Sequence, residues 1–140
     1  MALALHVERC PAAEPPAFPD AVMTTLSEIR MTALACRSAA RTDIFEACAL
    51  LATTRGAARD AYCQALVRCL EQALGRAPVF FRPDVVQMSF DEAWLSRLME
   101  TVRRGDEDSL AFLLRSRVGV PHRRLLGYLI GQIAEPDPSP

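Results

Sequence analysis

The sequence predicts an all-α fold, a single-domain bundle of about six helices. Two observations carry this. Apolar residues recur at three- and four-residue intervals in six separate segments. Capping side chains and glycines stand at the ends of those segments, as at Ser89, Gly75 and Gly105. A chain of 140 residues with 51% hydrophobic and 24% charged residues is also long and apolar enough for one core without covalent staples.

The first helix is expected over residues 20–37. Asp20 is the N-cap, and Val22, Leu26, Ile29, Ala33 and Cys36 form one stripe. A second, over 43–54, carries Ile44, Ala47, Cys48 and Leu51 on one face, and Gly56 breaks the pattern after it. A third, over 57–74, centres its stripe on Tyr62, Leu66, Leu70 and Ala73, with Gly75 as the residue past its end. Pro78 and Pro83 forbid a helix across 76–88, so that stretch reads as an extended connector laid over the bundle, with room for a short strand. Ser89 and Glu92 have the spacing of a capping box and open the fourth helix. Its core face is Trp94, Leu95, Leu98, Met99 and Val102, and Gly105 ends it. The fifth, over 106–117, is apolar nearly all round (Leu110, Phe112, Leu113, Leu114), so it is expected to be the most buried. Pro121 starts the sixth, with Leu125, Leu126, Leu129 and Ile133 facing the core.

Residues 1–19 hold Pro11, Pro15, Pro16 and Pro19 and read as a flexible arm. Residues 135–140 read as a disordered tail, which leaves 20–134 as the helical domain. Arg41, Asp43, Leu50, Leu51 and Gly56 recur at a constant offset as Arg104, Asp106, Leu113, Leu114 and Gly119. A duplication of that kind would divide the bundle into two three-helix halves joined by the connector. The stretch Thr101–Leu114 (TVRRGDEDSLAFLL) resembles the helix pair of one ankyrin repeat. It lacks the repeat's Thr-Pro-Leu-His start, and the chain has no period of about 33 residues. It reads as a helix–Gly–helix turn and implies no function.

The net charge of −1 gives no global attraction to nucleic acid or anionic membrane. Every one of the 16 basic residues is Arg, and Lys and Asn are absent, which is the mark of a GC-rich coding bias. His6, Glu8 and Arg9 interrupt the apolar start, so no secretory leader is expected. No run approaches the ~18 apolar residues that span a bilayer. A cytoplasmic location is expected, and with it five cysteines held as thiols.

Cys36, Cys48, Cys63 and Cys69 lie on or beside apolar stripes and read as small buried hydrophobes. Cys63 and Cys69 fall about 120° apart around a helix and about 9 Å along it, too far to share one metal unaided. Cys10, in the arm, is the candidate reactive thiol. His122 lacks a second ordered histidine, so neither a catalytic triad nor a His-rich metal site is expected. The acids at Asp43, Glu46 and Asp106–Asp108 sit at helix starts, where capping accounts for them. Arg115, Arg117, Arg123 and Arg124 cluster with no acid between Asp108 and Glu135. They form a candidate surface for phosphate or an acidic partner. Gly127 and Gly131 lie opposite the Leu stripe of the sixth helix and offer a close-packing face. Phe80 and Phe81 in the connector offer an apolar one.

These features lead to a small cytosolic helical interaction module, such as a regulator, adaptor or assembly factor. It is expected to have no catalytic activity and no cofactor or metal site. Its contact residues are expected to be Phe80, Phe81, Arg115, Arg117, Arg123, Arg124, Gly127 and Gly131, toward a protein partner or a second copy. Two alternatives stand beside this: a cysteine-based redox or metal sensor, and an anion- or nucleic-acid-binding surface at the arginine cluster. Nucleic acid is disfavoured, because the helix that a helix-turn-helix would place in the groove carries Leu and Phe.

Overall fold

The computed structural model describes residues 17–38 and 55–134. Among them are five helices and no strand: α1 (Asp20–Ser38), α2 (Arg55–Leu74), α3 (Phe90–Arg104), α4 (Glu107–Arg117) and α5 (Val120–Ala134). The all-α expectation holds. The second expected helix, over 43–54, lies outside the described residues. So does most of the first half of the supposed repeat, from Arg41 to Leu51. No helix among the described residues is long and apolar enough to cross a membrane.

Side-chain contacts fix the helix directions. Arg59, near the start of α2, bonds Glu28 and Thr25 of α1, while Cys63 meets Thr32, so α1 and α2 run parallel. Arg30 of α1 pairs with Glu92 at the start of α3, and Phe18 lies beside Thr101 near its end, so these two are antiparallel. The α3–α4 pair is an antiparallel hairpin, with Trp94 against Leu113 and Asp91 against Arg117. The C-terminal carbonyls of α5 are reached from two sides. Arg59 donates to the Ile133 carbonyl at 3.0 Å and Arg103 to the Ala134 carbonyl at 3.1 Å. Basic side chains thereby satisfy acceptors that a helix end leaves free.

The core runs between all five helices. Leu26 and Ile29 of α1, Leu66 and Leu70 of α2, Leu95, Leu98 and Met99 of α3, and Leu126, Ile130 and Ile133 of α5 are almost completely hidden from solvent. The sequence punctuation is realised at both ends of α3. Ser89 accepts from the Glu92 N–H, and the Glu92 side chain accepts from the Ser89 N–H, a closed capping box. Gly105 ends the helix at φ 68°, a left-handed conformation that costs a glycine little. Asp106 then caps α4 by accepting from the Ser109 N–H. The same contacts hold the Asp106 carboxyl below its ordinary value, the Ser109 hydroxyl most of all.

Several expectations are corrected. Helix α4 is not the most buried helix: Leu114 is its one buried residue, and Phe112 stands 67% exposed. An eleven-residue helix at the edge meets α3 and α5 on one side only, so an all-round apolar surface leaves some of it in solvent. On α5 the buried stripe runs through Leu126, Leu129, Ile130 and Ile133, and Leu125 is exposed. Gly56 lies in the first turn of α2 rather than before it. Phe18 packs against the core and Pro19 accepts from the Val22 and Met23 N–H groups. The connector 76–88 is neither helix nor strand.

Candidate functional site

The start of α3 carries two adjacent carboxylates with different partners. Glu92 points inward, is fully buried and meets the buried Arg30 of α1 through two bonds. Arg30 also donates to the Val85 carbonyl at 2.6 Å and the Gln87 carbonyl at 2.7 Å. Glu92 further accepts from the backbone N–H of Phe81 and of Ser89. One ion pair thus ties the connector to α1 and α3, and both oxygens of the buried carboxylate and all three nitrogens of the guanidinium have hydrogen-bond partners.

Asp91 faces the other way and organises a surface. It accepts two bonds of 2.9 Å from Arg76, one of 2.6 Å from Arg117 and one of 2.7 Å from the Val79 N–H. The bonds from Arg76, then the Val79 N–H and Arg117, hold its carboxyl far below the usual carboxylate range, against the opposing effect of burial. The guanidinium of Arg117 lies between two rings, 4.9 Å from the centroid of Phe90 and 4.8 Å from that of Trp94. Such stacking favours a cation on the ring faces. Trp94 is itself held by donating its indole N–H to the Leu113 carbonyl at 3.1 Å. The Nη1 of Arg117 is buried and has no hydrogen-bond partner among the described residues. Around this centre Phe90 is 74% exposed and Val79 49% exposed. Half of the Arg76 side chain also reaches solvent.

Because the folded-state pKa of Asp91 is depressed, its contribution to stability is present above the unfolded carboxylate value, near ~3.9. It is lost as pH falls through the lower folded value. Asp91→Asn is expected to cost about 2 kcal/mol at neutral pH, the loss of hydrogen bonds to charged partners. Urea midpoints at pH 7 and pH 3 check this: the wild type should lose more stability between them than Asp91→Asn does.

No protein-family model, no curated protein and no solved structure matches this chain.

The residues singled out from sequence have different settings. Phe80 is buried in the core, and its carbonyl accepts from Arg37, so it offers no surface. Phe81 is half-buried. Of the four arginines, Arg117 belongs to the Asp91 centre. Arg123 donates to the Val118 carbonyl at 2.7 Å, across the α4–α5 turn. Arg115 and Arg124 are exposed. Arg117 and Arg123 thus spend donors on Asp91 and on the Val118 carbonyl, while Arg115 and Arg124 face solvent. Gly127 faces Leu114 of α4, where a Cβ would make an ordinary contact at 3.5 Å, while Gly131 faces open space.

Cys63 and Cys69 are buried, and burial pushes the Cys63 thiol up to about 11 and the Cys69 thiol up as well. Buried, raised thiols are poor nucleophiles. Among the described residues no group of three His, Cys, Asp or Glu is placed to hold a metal. Cys10 and Cys48 lie outside the described residues. A shallow cleft of about 320 Å³ opens at the far end of the hairpin, lined by Phe18, Arg97, Thr101, Arg104, Phe112 and Leu113.

Sequence reasoning missed Arg76, Phe90 and Asp91, and the part Arg30 plays. One signal was available for Phe90: an aromatic residue directly after an N-cap lies in the first turn, beside the core stripe and not on it. Arg30 stands next to Ile29 on an apolar helix face, where a charge needs a partner.

Proposed function

We propose that the protein is a small helical interaction module, a regulator, adaptor or assembly factor acting in the cytoplasm without chemistry of its own. It binds a partner protein at the surface centred on Asp91. The observation that carries this reading is Phe90, an aromatic side chain left 74% exposed beside the exposed Val79. The Arg117 guanidinium lies over its ring, 4.9 Å from the centroid. An exposed aromatic flanked by arginines is the composition of an interface anchor. Arg76 and Arg117 share one carboxylate, which leaves a net positive surface around the ring. The fitting partner presents an apolar side chain flanked by Asp or Glu. Arg123 is engaged by the Val118 carbonyl and Arg117 by Asp91, which leaves the anion or nucleic-acid alternative only Arg115 and Arg124 as exposed cations of the cluster.

Phe90→Asp tests the reading, because the side chain is exposed and its loss should cost stability no more than the ~1 kcal/mol of an exposed cation–π contact. A photo-crosslinking side chain at position 90, activated in cells of the source, is expected to trap one discrete protein adduct. That protein should co-purify with the wild type and not with Phe90→Asp. If no adduct forms, or if Phe90→Asp retains the same companions, the surface is not the binding site.

A further inference from the structure

The exposed side of α4 carries a stripe that is complementary to itself. Asp108, Ala111, Phe112 and Arg115 are all exposed and fall within about 100° of one another around the helix, on the side away from the half-buried Leu110, Leu113 and Arg117. Asp108 and Arg115 stand at its two ends. Seven residues separate them, about 10.5 Å along the axis, too far for an ion pair within one helix. Neither takes part in an ion pair among the described residues. The one bond Arg115 makes there is a long one, 3.4 Å, to the Ala111 carbonyl of its own helix. Between the two charges lie a large aromatic and a small neighbour, Phe112 and Ala111.

We propose that this stripe is a homodimer contact: α4 packs antiparallel on α4 of a second copy about a two-fold axis passing beside Ala111 and Phe112. The sequence order dictates the fit. The midpoint of Asp108 and Arg115 falls between Ala111 and Phe112, so a two-fold there sets each Asp108 against the Arg115 of the other copy. The same operation lays each Phe112 over the small Ala111 opposite. Such a contact is isologous and closes on itself. The acids at the start of α4 and the arginines at its end also suit the helix dipole within one chain. An antiparallel pair uses that polarity a second time. Phe112 also borders the cleft whose lining mixes Phe18 with the charged Arg97, Glu100 and Arg104. The inference is independent of the Asp91 surface, since Phe90, Asp91 and Arg76 are not on this stripe.

Sedimentation equilibrium of the full chain tests it. The wild type is expected to form a reversible dimer. Asp108→Arg alone and Arg115→Asp alone should each weaken it roughly tenfold or more, the effect of like charges facing each other in an interface. Mixing the two variants should restore the dimer, because one then offers two arginines on the stripe and the other two aspartates. Circular dichroism of each variant shows that the helices persist. A wild type that stays monomeric at every concentration overturns the proposal. So does a dimer whose strength neither substitution changes. Phe90→Asp should leave the dimer intact, which separates failure here from failure of the partner-binding surface.

Discussion

Glu92→Gln is expected to destabilise the fold by about 3–5 kcal/mol, the cost of stranding one charge of a buried pair. The isosteric amide keeps the shape of the side chain and removes the charge. Arg30, 5% exposed, is then left with the two carbonyls of Val85 and Gln87 but no anion. The capping box weakens as well, since an amide has one oxygen where the carboxylate has two. Urea unfolding followed by circular dichroism gives the value. A double-mutant cycle gives the mechanism: in the Glu92→Gln background, Arg30→Met should cost far less than it does in the wild type. Equal costs of Arg30→Met in both backgrounds would mean that the two side chains do not act as a pair.

Trp94→Ala should cost a similar ~3–5 kcal/mol, typical of deleting a buried aromatic from a packed core. The loss spreads beyond α3. The Leu113 carbonyl loses its indole donor, and Arg117 keeps only the exposed Phe90 ring to stack on. Trp94→Phe separates these effects. It retains most of the apolar bulk and the ring face, and removes one neutral hydrogen bond, so about 1 kcal/mol is expected. Thermal melts of the two variants check the order. If Trp94→Phe proves as damaging as Trp94→Ala, the indole N–H rather than the packed ring holds the hairpin together.

Much of the fold was readable because short-range chemistry decides it. Ser89 and Glu92, Gly75, and Gly105 followed by Asp106 act over three or four residues, and each boundary they mark is met. Burial was readable where a stripe is narrow, as on α1 and α3. It failed on α4, where Leu and Phe surround the axis and only the position of the helix at the edge decides which of them stays wet. The Asp91 surface was hidden for a different reason. Arg76, Asp91 and Arg117 come from three segments, and only antiparallel packing of α3 and α4 brings the last of them to the first two. Of the arginine cluster near the end of the chain, by contrast, Arg117 and Arg123 are drawn into bonds within the fold, which their nearness in sequence did not reveal.

The Arg30–Glu92 pair spans 62 residues of chain, and this sets a waiting time. On the ribosome, at ~5–20 residues per second, Arg30 emerges several seconds before the carboxylate that neutralises it. Until then α1 holds a cation on the face it will later bury. The contact that joins the first helix to the third therefore closes only after most of the chain has been made, and until then the charge on Arg30 is met by water alone.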